Sequence, residues 1–463
     1  MEKVYFLPPE KLEKVYKPKD PSMIMVNLFK RKIESKIMRY LNDEDSPILL
    51  IDGARQIGKT FIIRELGSRY FKDFVELNMV EDYAGPRIFE NVRTTKDFYM
   101  AVQSVAGRKL GDHTDTLIFI DEIQVYRELI TLLKFLKEEK RYRIIASGSL
   151  LGVTLRKASS IPVGSISIKR MYPMDFEEFL WANGVSDEVI DELRHAAKDV
   201  SPINPGLHNR MMDLFRDYLM TGGLPYCVDL FLRERDIVSL RDVQSEIHGL
   251  YREDCSKYDM EFKMRTRAIY DLIPSNIENR KKRIYAKDIE SKDKARFANY
   301  REDFETIVNA GVALEVTCCA DISFPLLGSA KRNLVKLYMN DVGILTSLLY
   351  KYNVKALRED VPHVNLGNVY ECVTAMQLSS NGHELYYADN KKIGEVDFLI
   401  DDYDSLGTRI IEVKSGKDFR NHRALDRFLE SRENVEGIVL SNDGDLIRKG
   451  KVTYLPVYMS MFL

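Results

Sequence analysis

The segment Gly53-Ala54-Arg55-Gln56-Ile57-Gly58-Lys59-Thr60 constrains this chain more than any other. It follows the apolar run Ile48-Leu49-Leu50-Ile51 and fits the pattern G-x-x-x-x-G-K-S/T. The run before it has the composition of a short buried strand, and the stretch from Thr60 to Tyr70 has the pattern of a helix. Strand, loop and helix in that order are what a phosphate-binding loop requires. Its glycines let successive backbone N–H groups curl around a polyphosphate. Lys59 is expected to reach the β- and γ-phosphates, and the Thr60 hydroxyl to ligate Mg²⁺. The phosphates would lie at a helix N-terminus, where free N–H groups and the dipole favour anions. The expected nucleotide contacts therefore run from Gly53 through Thr60 to Phe61 in the first helical turn.

A second motif supports the first. Thr116-Leu117-Ile118-Phe119-Ile120 is an apolar strand ending in Asp121-Glu122, about 60 residues downstream. Asp121 is expected to hold Mg²⁺ beside Thr60, and Glu122 to polarise the attacking water as general base. A third strand, Arg143-Ile144-Ile145-Ala146, ends at Ser147-Gly148-Ser149. In ATPases with an extra central strand a polar residue here senses the γ-phosphate, and Ser147 and Ser149 are the candidates.

At 463 residues the chain has room for two to four domains. Basic and acidic residues nearly balance, 69 against 71, which argues against constitutive coating of nucleic acid or attraction to a membrane surface. The five cysteines are scattered without C-x-x-C spacing and read as reduced thiols of a cytoplasmic protein, not as disulfides or a zinc site. Adjacent Cys318 and Cys319 on a strand would point to opposite faces. No apolar run approaches the length of a membrane span, and the first residues lack a signal-peptide core.

Strands alternate with helices up to about residue 168, which predicts a parallel, doubly wound sheet. Residues 1–171 read as this core with an N-terminal helix. Residues 172–260 read as a helical lid, with Ser186 at a helix start and a sharp break at Gly222-Gly223-Leu224-Pro225. Residues 261–345 read as a winged helix. Its first helix is expected to end at Pro274, and its third at Gly311. Val312–Thr317 and Asn333–Leu337 would form the wing. Between Arg280 and Arg301 stand nine basic and three acidic residues, a candidate contact surface for a phosphate backbone.

Residues 346–463 carry a second constellation. Gly394-Glu395-Val396-Asp397-Phe398-Leu399-Ile400 and Ile410-Ile411-Glu412-Val413-Lys414 read as neighbouring strands. Glu412 and Lys414 share a face because strand side chains repeat every two residues. Asp397 and Glu412 are expected to hold a divalent metal, with Lys414 over the same point and Glu371, on the preceding helix, adding a carboxylate. Such a set suits phosphodiester hydrolysis.

Taken together, the chain resembles a large bacterial and archaeal family of AAA-type ATPases with a nuclease-like C-terminal domain of unknown function. The matching pieces are the phosphate loop, Ile118–Gln124, Ile144–Ser149, Tyr172–Phe179, Gly222–Pro225, Lys336–Asp341, Glu395–Phe398 and Glu412–Ser415. The resemblance implies an α/β chain: a P-loop parallel-sheet ATPase core, a helical lid, a winged helix, and a C-terminal domain similar to PD-(D/E)xK, restriction-endonuclease-like enzymes. It implies ATP-site roles for Lys59, Thr60, Asp121 and Glu122, and metal-site roles for Asp397, Glu412 and Lys414. Many relatives place a Gly-Arg pair before the last core strand. Here that stretch reads Pro162-Val163-Gly164-Ser165, so a trans-acting arginine is carried over to no position, and Arg55, Arg156 and Arg170 are only candidates. Two readings follow. One is an ATPase that couples nucleotide state to a nuclease-like domain acting on DNA or RNA. The other is an ATP-driven switch or scaffold whose C-terminal domain no longer cuts and binds a protein partner; a partner or a second copy of the chain is the expected source of the trans-acting arginine.

Overall fold

A computed structural model describes residues 29–149, 164–255, 263–279, 282–290, 296–359, 361, 364–416, 419–430 and 432–463. Helix α1 (Ile33–Asn42) leads into β1 (Ile48–Asp52) and α2 (Lys59–Tyr70). There follow β2 (Asp73–Asn78), α3 (Met79–Ala84), α4 (Thr95–Ala106), β3 (Thr116–Asp121), α5 (Arg127–Glu139), β4 (Arg143–Gly148) and β5 (Ile166–Arg170). The five strands are all parallel, in the order β2-β3-β4-β1-β5. An extra strand thus separates the strand before the phosphate loop from the strand that ends in Asp121.

Strand alternation divides the sheet between two cores. Leu49, Ile51, Leu117 and Phe119 face α1 and α2, whereas Ile48, Leu50, Ile118 and Ile120 face α4 and α5. Both faces are covered, which is why these strands read as unbroken apolar runs.

Five helices follow: α6 (Phe176–Ala182), α7 (Asp187–Asp199), α8 (Pro205–Thr221), α9 (Pro225–Glu234) and α10 (Ile237–Asp254). Helix α7 begins after Ser186 as expected, but the Ser186 side chain makes no capping hydrogen bond. Helix α11 (Lys263–Ile277) runs past Pro274 instead of ending there. Proline removes only its own N–H, and the Ser275 hydroxyl and Asn276 amide both donate to the Leu272 carbonyl at 3.0 Å. The short α12 (Ala286–Ile289) and then α13 (Arg301–Asn309) come next, and Gly311 follows with φ +75°.

The remaining elements are β6 (Ala313–Cys319), β7 (Ala330–Met339), α14 (Val342–Tyr350), α15 (Lys355–Arg358), α16 (Gly367–Ser380), β8 (Tyr386–Asn390), β9 (Gly394–Asp402), β10 (Gly407–Val413), α17 (Arg423–Glu430), β11 (Val435–Ser441), β12 (Ile447–Lys449) and β13 (Val452–Pro456). The strands form one mixed sheet in the order β12-β13-β11-β10-β9-β8-β6-β7. The pair expected to be a free wing, β6 and β7, is antiparallel, but β6 also pairs in parallel with β8. One sheet therefore crosses the expected boundary at 345/346. Cys318 packs into the core shared with the helices and Cys319 into the core under α17, on opposite faces as predicted. All five cysteines are free and buried.

Gly223 joins the parts of the chain. Its carbonyl accepts from Met174 N at 2.6 Å, and its N–H donates to Asp341 Oδ2 at 2.6 Å. Asp341 is fully buried, and burial pushes its carboxyl up to about 6 despite the backbone hydrogen bonds it accepts. A Cβ on Gly223 would lie 2.0 Å from the Met174 carbonyl oxygen. Gly223→Ala is therefore expected to destabilise the fold by about 2–4 kcal/mol. The measurement is the urea midpoint at constant slope, and an unmoved midpoint would show that this contact does not join the segments.

Candidate functional site

The first site is built at the carboxyl ends of β1, β3 and β4. Gly53 leaves β1 with φ +149°, and a Cβ there would lie 2.4 Å from the Met171 carbonyl oxygen, so only glycine fits. Gln56 and Gly58 also adopt positive φ, and Gly58 stands at the N-cap of α2. Ala54 and Ile57 are buried beneath the loop. The buried Lys59 ammonium folds back on the loop and donates to Gly53 O at 2.8 Å and Ala54 O at 2.7 Å. Burial lowers its pKa, while the carboxylates of Glu122, Asp52 and Asp121 oppose that shift.

Parallel register brings the acidic residues to this loop. Thr60 Oγ1 donates to Asp121 Oδ2 at 2.7 Å. The other Asp121 oxygen accepts from the Ser147 hydroxyl and, at 3.0 Å, from the Glu122 N–H. Glu122 sits at φ +53°, an uncommon backbone state for this residue. Its Oε2 accepts from Ser149 Oγ at 3.2 Å and from the Gln124 amide. The two serines at the end of β4 thus each hold one acid from the end of β3. Gln124 was not singled out in the sequence, although it lies two residues beyond Glu122.

Two of the three arginine candidates, Arg55 and Arg170, are engaged within the chain. Arg55 Nε lies 3.0 Å from Asp254 Oδ2. Arg170, opposite Asp52 in the sheet, donates to the Val308 carbonyl at the end of α13 and to Asn309 O at 3.4 Å. Arg156 lies outside the described residues. Phe61 is 38% exposed on α2.

The second constellation gathers as the strand pattern predicts. Glu412 Oε1 accepts from Lys414 Nζ at 2.7 Å, and Asp397 Oδ2 accepts from Val413 N at 2.8 Å across the β9–β10 pair. Glu371 on α16 is buried beside them. Residues without an assigned role complete the cluster: Lys282 pairs with Glu371 Oε1, Tyr338 Oη donates to Glu371 Oε2 at 2.8 Å, and fully buried Lys336 lies 2.5 Å from Glu395. Lys336 and Tyr338 belong to the motif Lys336–Asp341 and share a strand face, a signal that was present in the sequence. Among the described residues no group of three or more His, Cys, Asp or Glu is arranged to hold a metal ion, so their arrangement gives the expected metal centre of Glu371, Asp397 and Glu412 no support. Lys282, Tyr338 and Lys414 take up three of these six carboxylate oxygens, and buried Glu412 Oε2 has no hydrogen-bond partner among the described residues.

The basic stretch from Arg280 to Arg301 likewise turns inward at several positions. Lys282 meets Glu371, Arg283 meets Asp389 at 2.7 Å, and Arg301 meets Glu315 at 2.9 Å. Residues 280, 281 and 291–295 of that stretch lie outside the described residues. Among the described residues no helix is long and apolar enough to cross a membrane.

Residues 45–180 match the family model of an AAA domain. That segment is an AAA-type domain, a P-loop ATPase core. Residues 212–355 match a domain of unknown function (DUF8612), which crosses the expected boundaries at 260/261 and 345/346. No curated protein matches the chain. Among solved structures, a Walker-type ATPase of Pyrococcus abyssi is 15% identical with a TM-score of 0.43, over 70% of this chain and 96% of that one. The Saccharomyces cerevisiae Hsp104–ADP complex is 14% identical with a TM-score of 0.27, over 61% of this chain and 38% of the other.

Burial, and next the Asp397 charge, push the Glu412 carboxyl from an ordinary 4.5 to about 8. A carboxyl raised on folding contributes stability at low pH that is lost as pH rises through the folded value. Glu412→Gln is expected to flatten the fall in unfolding free energy between about pH 5 and about pH 8.5. Parallel urea titrations of both proteins check this, and equal falls in the two would refute it.

Proposed function

We propose that this chain binds and hydrolyses ATP at Gly53–Thr60 and passes the nucleotide state to its C-terminal half. The observation that carries the reading is the double hold on the acids: Ser147 on Asp121 and Ser149 on Glu122, with Thr60 on Asp121 as well. Thr60 and Asp121 offer hard oxygen donors, which suit Mg²⁺. That ion would neutralise charge on the β- and γ-phosphates. Glu122, held by Ser149 and Gln124, orients the attacking water and accepts its proton. Lys59 exchanges the loop carbonyls for phosphate oxygens.

Contacts behind the loop support the coupling. Tyr251 Oη on α10 donates to Arg55 O at 2.9 Å, and Arg55 pairs with Asp254. A Cβ on Gly311 would lie 2.9 Å from Ala54 N, so the end of α13 touches the loop backbone and continues into β6 of the second sheet. In our reading residues 172–260 act as a helical lid, and the helices of 261–345 form a winged-helix-like unit whose strands β6 and β7 are built into the sheet of a nuclease-like unit. The order α16, β8, β9, β10, α17, β11, with Glu371, Asp397, Glu412 and Lys414 together, supports that unit acting on DNA or RNA phosphodiesters. The lysines already seated on Glu371, Glu395 and Glu412 favour the second reading, a scaffold whose C-terminal unit does not cut and engages a protein partner.

Lys59→Ala is expected to abolish tight ATP binding, measured by titration calorimetry. Glu122→Gln is expected to keep ATP bound and to lose about 10²–10⁴-fold in turnover. If Lys59→Ala changes neither binding nor hydrolysis, the site is elsewhere. Incubation with plasmid, single-stranded and branched DNA and with RNA, with Mg²⁺ or Mn²⁺ and with or without ATP, separates the two C-terminal readings. Cutting that vanishes in both Glu412→Ala and Lys414→Ala supports the nuclease, and intact ATPase activity without any cutting supports the scaffold.

A further inference from the structure

We infer that Arg31 is the positioning residue of the phosphate loop: its guanidinium fixes the Ile57 carbonyl so that the next N–H faces the phosphates. The inference rests on the reading of Gly53–Thr60 as the ATP site. Arg31 precedes α1, far from the loop in sequence, and is 7% exposed. Its fork reaches three separate segments. Nη1 donates to Ile57 O at 2.9 Å, Nη2 to Tyr172 O at 2.8 Å, and Nε to Glu178 Oε2 at 3.0 Å. A planar guanidinium with donors in fixed directions can satisfy three such acceptors together, and an ammonium cannot match that geometry.

Glu178 is itself held. It closes the capping box of α6 with Asp175, and its Oε1 accepts from Lys32 N at 2.6 Å. The guanidinium is thus oriented from behind by a residue that cannot swing away.

The consequence at the loop follows from the peptide unit. In a trans peptide the C=O and the following N–H point to opposite sides. Fixing the Ile57 carbonyl toward Arg31 aims the Gly58 N–H away from it, toward the mouth of the loop. A Cβ on Gly58 would lie 3.6 Å from Arg31 Nη1 and 3.5 Å from Pro225 Cγ, so the guanidinium lies directly behind that glycine. Because Glu178 balances the charge of Arg31, the contribution to ATP binding is one of geometry more than of net positive potential.

The test is steady-state ATPase kinetics on the full chain, comparing wild type with Arg31→Lys, Arg31→Met and Lys32→Ala. Lys32 is the neighbouring control: its ammonium pairs with Asp175 and Glu177 without touching the loop. Both Arg31 variants are expected to raise KM for ATP at least about tenfold while kcat stays within about threefold, because Thr60, Asp121 and Glu122 keep their own contacts. A purely structural role would instead lower the active fraction, reducing kcat at constant KM. Lys32→Ala is expected to lower the melting temperature and leave KM within about twofold. Should Arg31→Met fail to fold, Arg31→Lys carries the comparison. An unchanged KM in Arg31→Lys, with wild type active, overturns the inference. A wild-type protein that neither binds nor hydrolyses ATP overturns the reading of the loop, and the inference with it.

Discussion

The register of β1 between β4 and β5 decides which side chains meet at the nucleotide end of the first sheet. Ile51 lies opposite Ser147, and Asp52 lies between Gly148 and Arg170. One residue of slip would turn every alternate side chain to the other face. In the observed register Ile48 and Leu50 fill one core and Leu49 and Ile51 the other, each with its own packing partners. The neighbouring β3–β4 register, with Ile120 opposite Ala146, in turn sets Ser147 and Ser149 against Asp121 and Glu122.

Buried polar groups join the first sheet to the rest of the chain. Arg31 meets Glu178, and Asp341 accepts from Gly223 N and Ile344 N. Arg241 reaches Met220 O, Gly343 O and Gln244. Removing charges from water costs several kcal/mol per ion, so such groups contribute little net stability against well-packed apolar ones. What they supply is direction. An apolar contact tolerates sliding, whereas the Asp341 carboxylate fits the Gly223 N–H only in one arrangement. The Gly222-Gly223-Leu224-Pro225 break is read from the sequence as a turn. In the fold it is also the place where Met174, Gly223 and Asp341 interlock.

Local signals were legible and non-local ones were not. The phosphate loop, the strand ending in Asp121-Glu122 and the serines after β4 are contiguous motifs whose geometry follows from their own composition. The partner of β6 is different. Its alternating pattern is satisfied equally by a two-stranded wing and by a place beside β8, and only the parallel pairing of Thr317–Cys319 with Tyr386–Ala388 decides between them. The basic stretch misleads for a related reason. Charge counts show that Lys282 and Arg283 are cations, but not that Glu371 and Asp389 await them across about 90 to 110 residues. Arg31 carried no sequence signal, since an arginine at the start of an amphipathic helix is unremarkable until the loop folds against it.

The same contacts explain how a change at the loop can reach the second sheet. Coupling between sites needs an element whose position both sites bias. Here the loop backbone at Ala54 and Arg55 lies against Gly311 and Tyr251, and the Arg55 side chain pairs with Asp254. Helix α13 ends against the loop and runs directly into β6, which pairs with both β7 and β8. A shift of the loop that displaces Gly311 cannot be absorbed by a slack linker, because only Val312 separates Gly311 from the strand. It must either be resisted by the sheet or move the sheet. The carboxylates and lysines of the second constellation ride on β7, β9, β10 and α16 of that same body. In the coupling we propose, a change at Gly53–Thr60 would reach that constellation by way of Gly311 and β6.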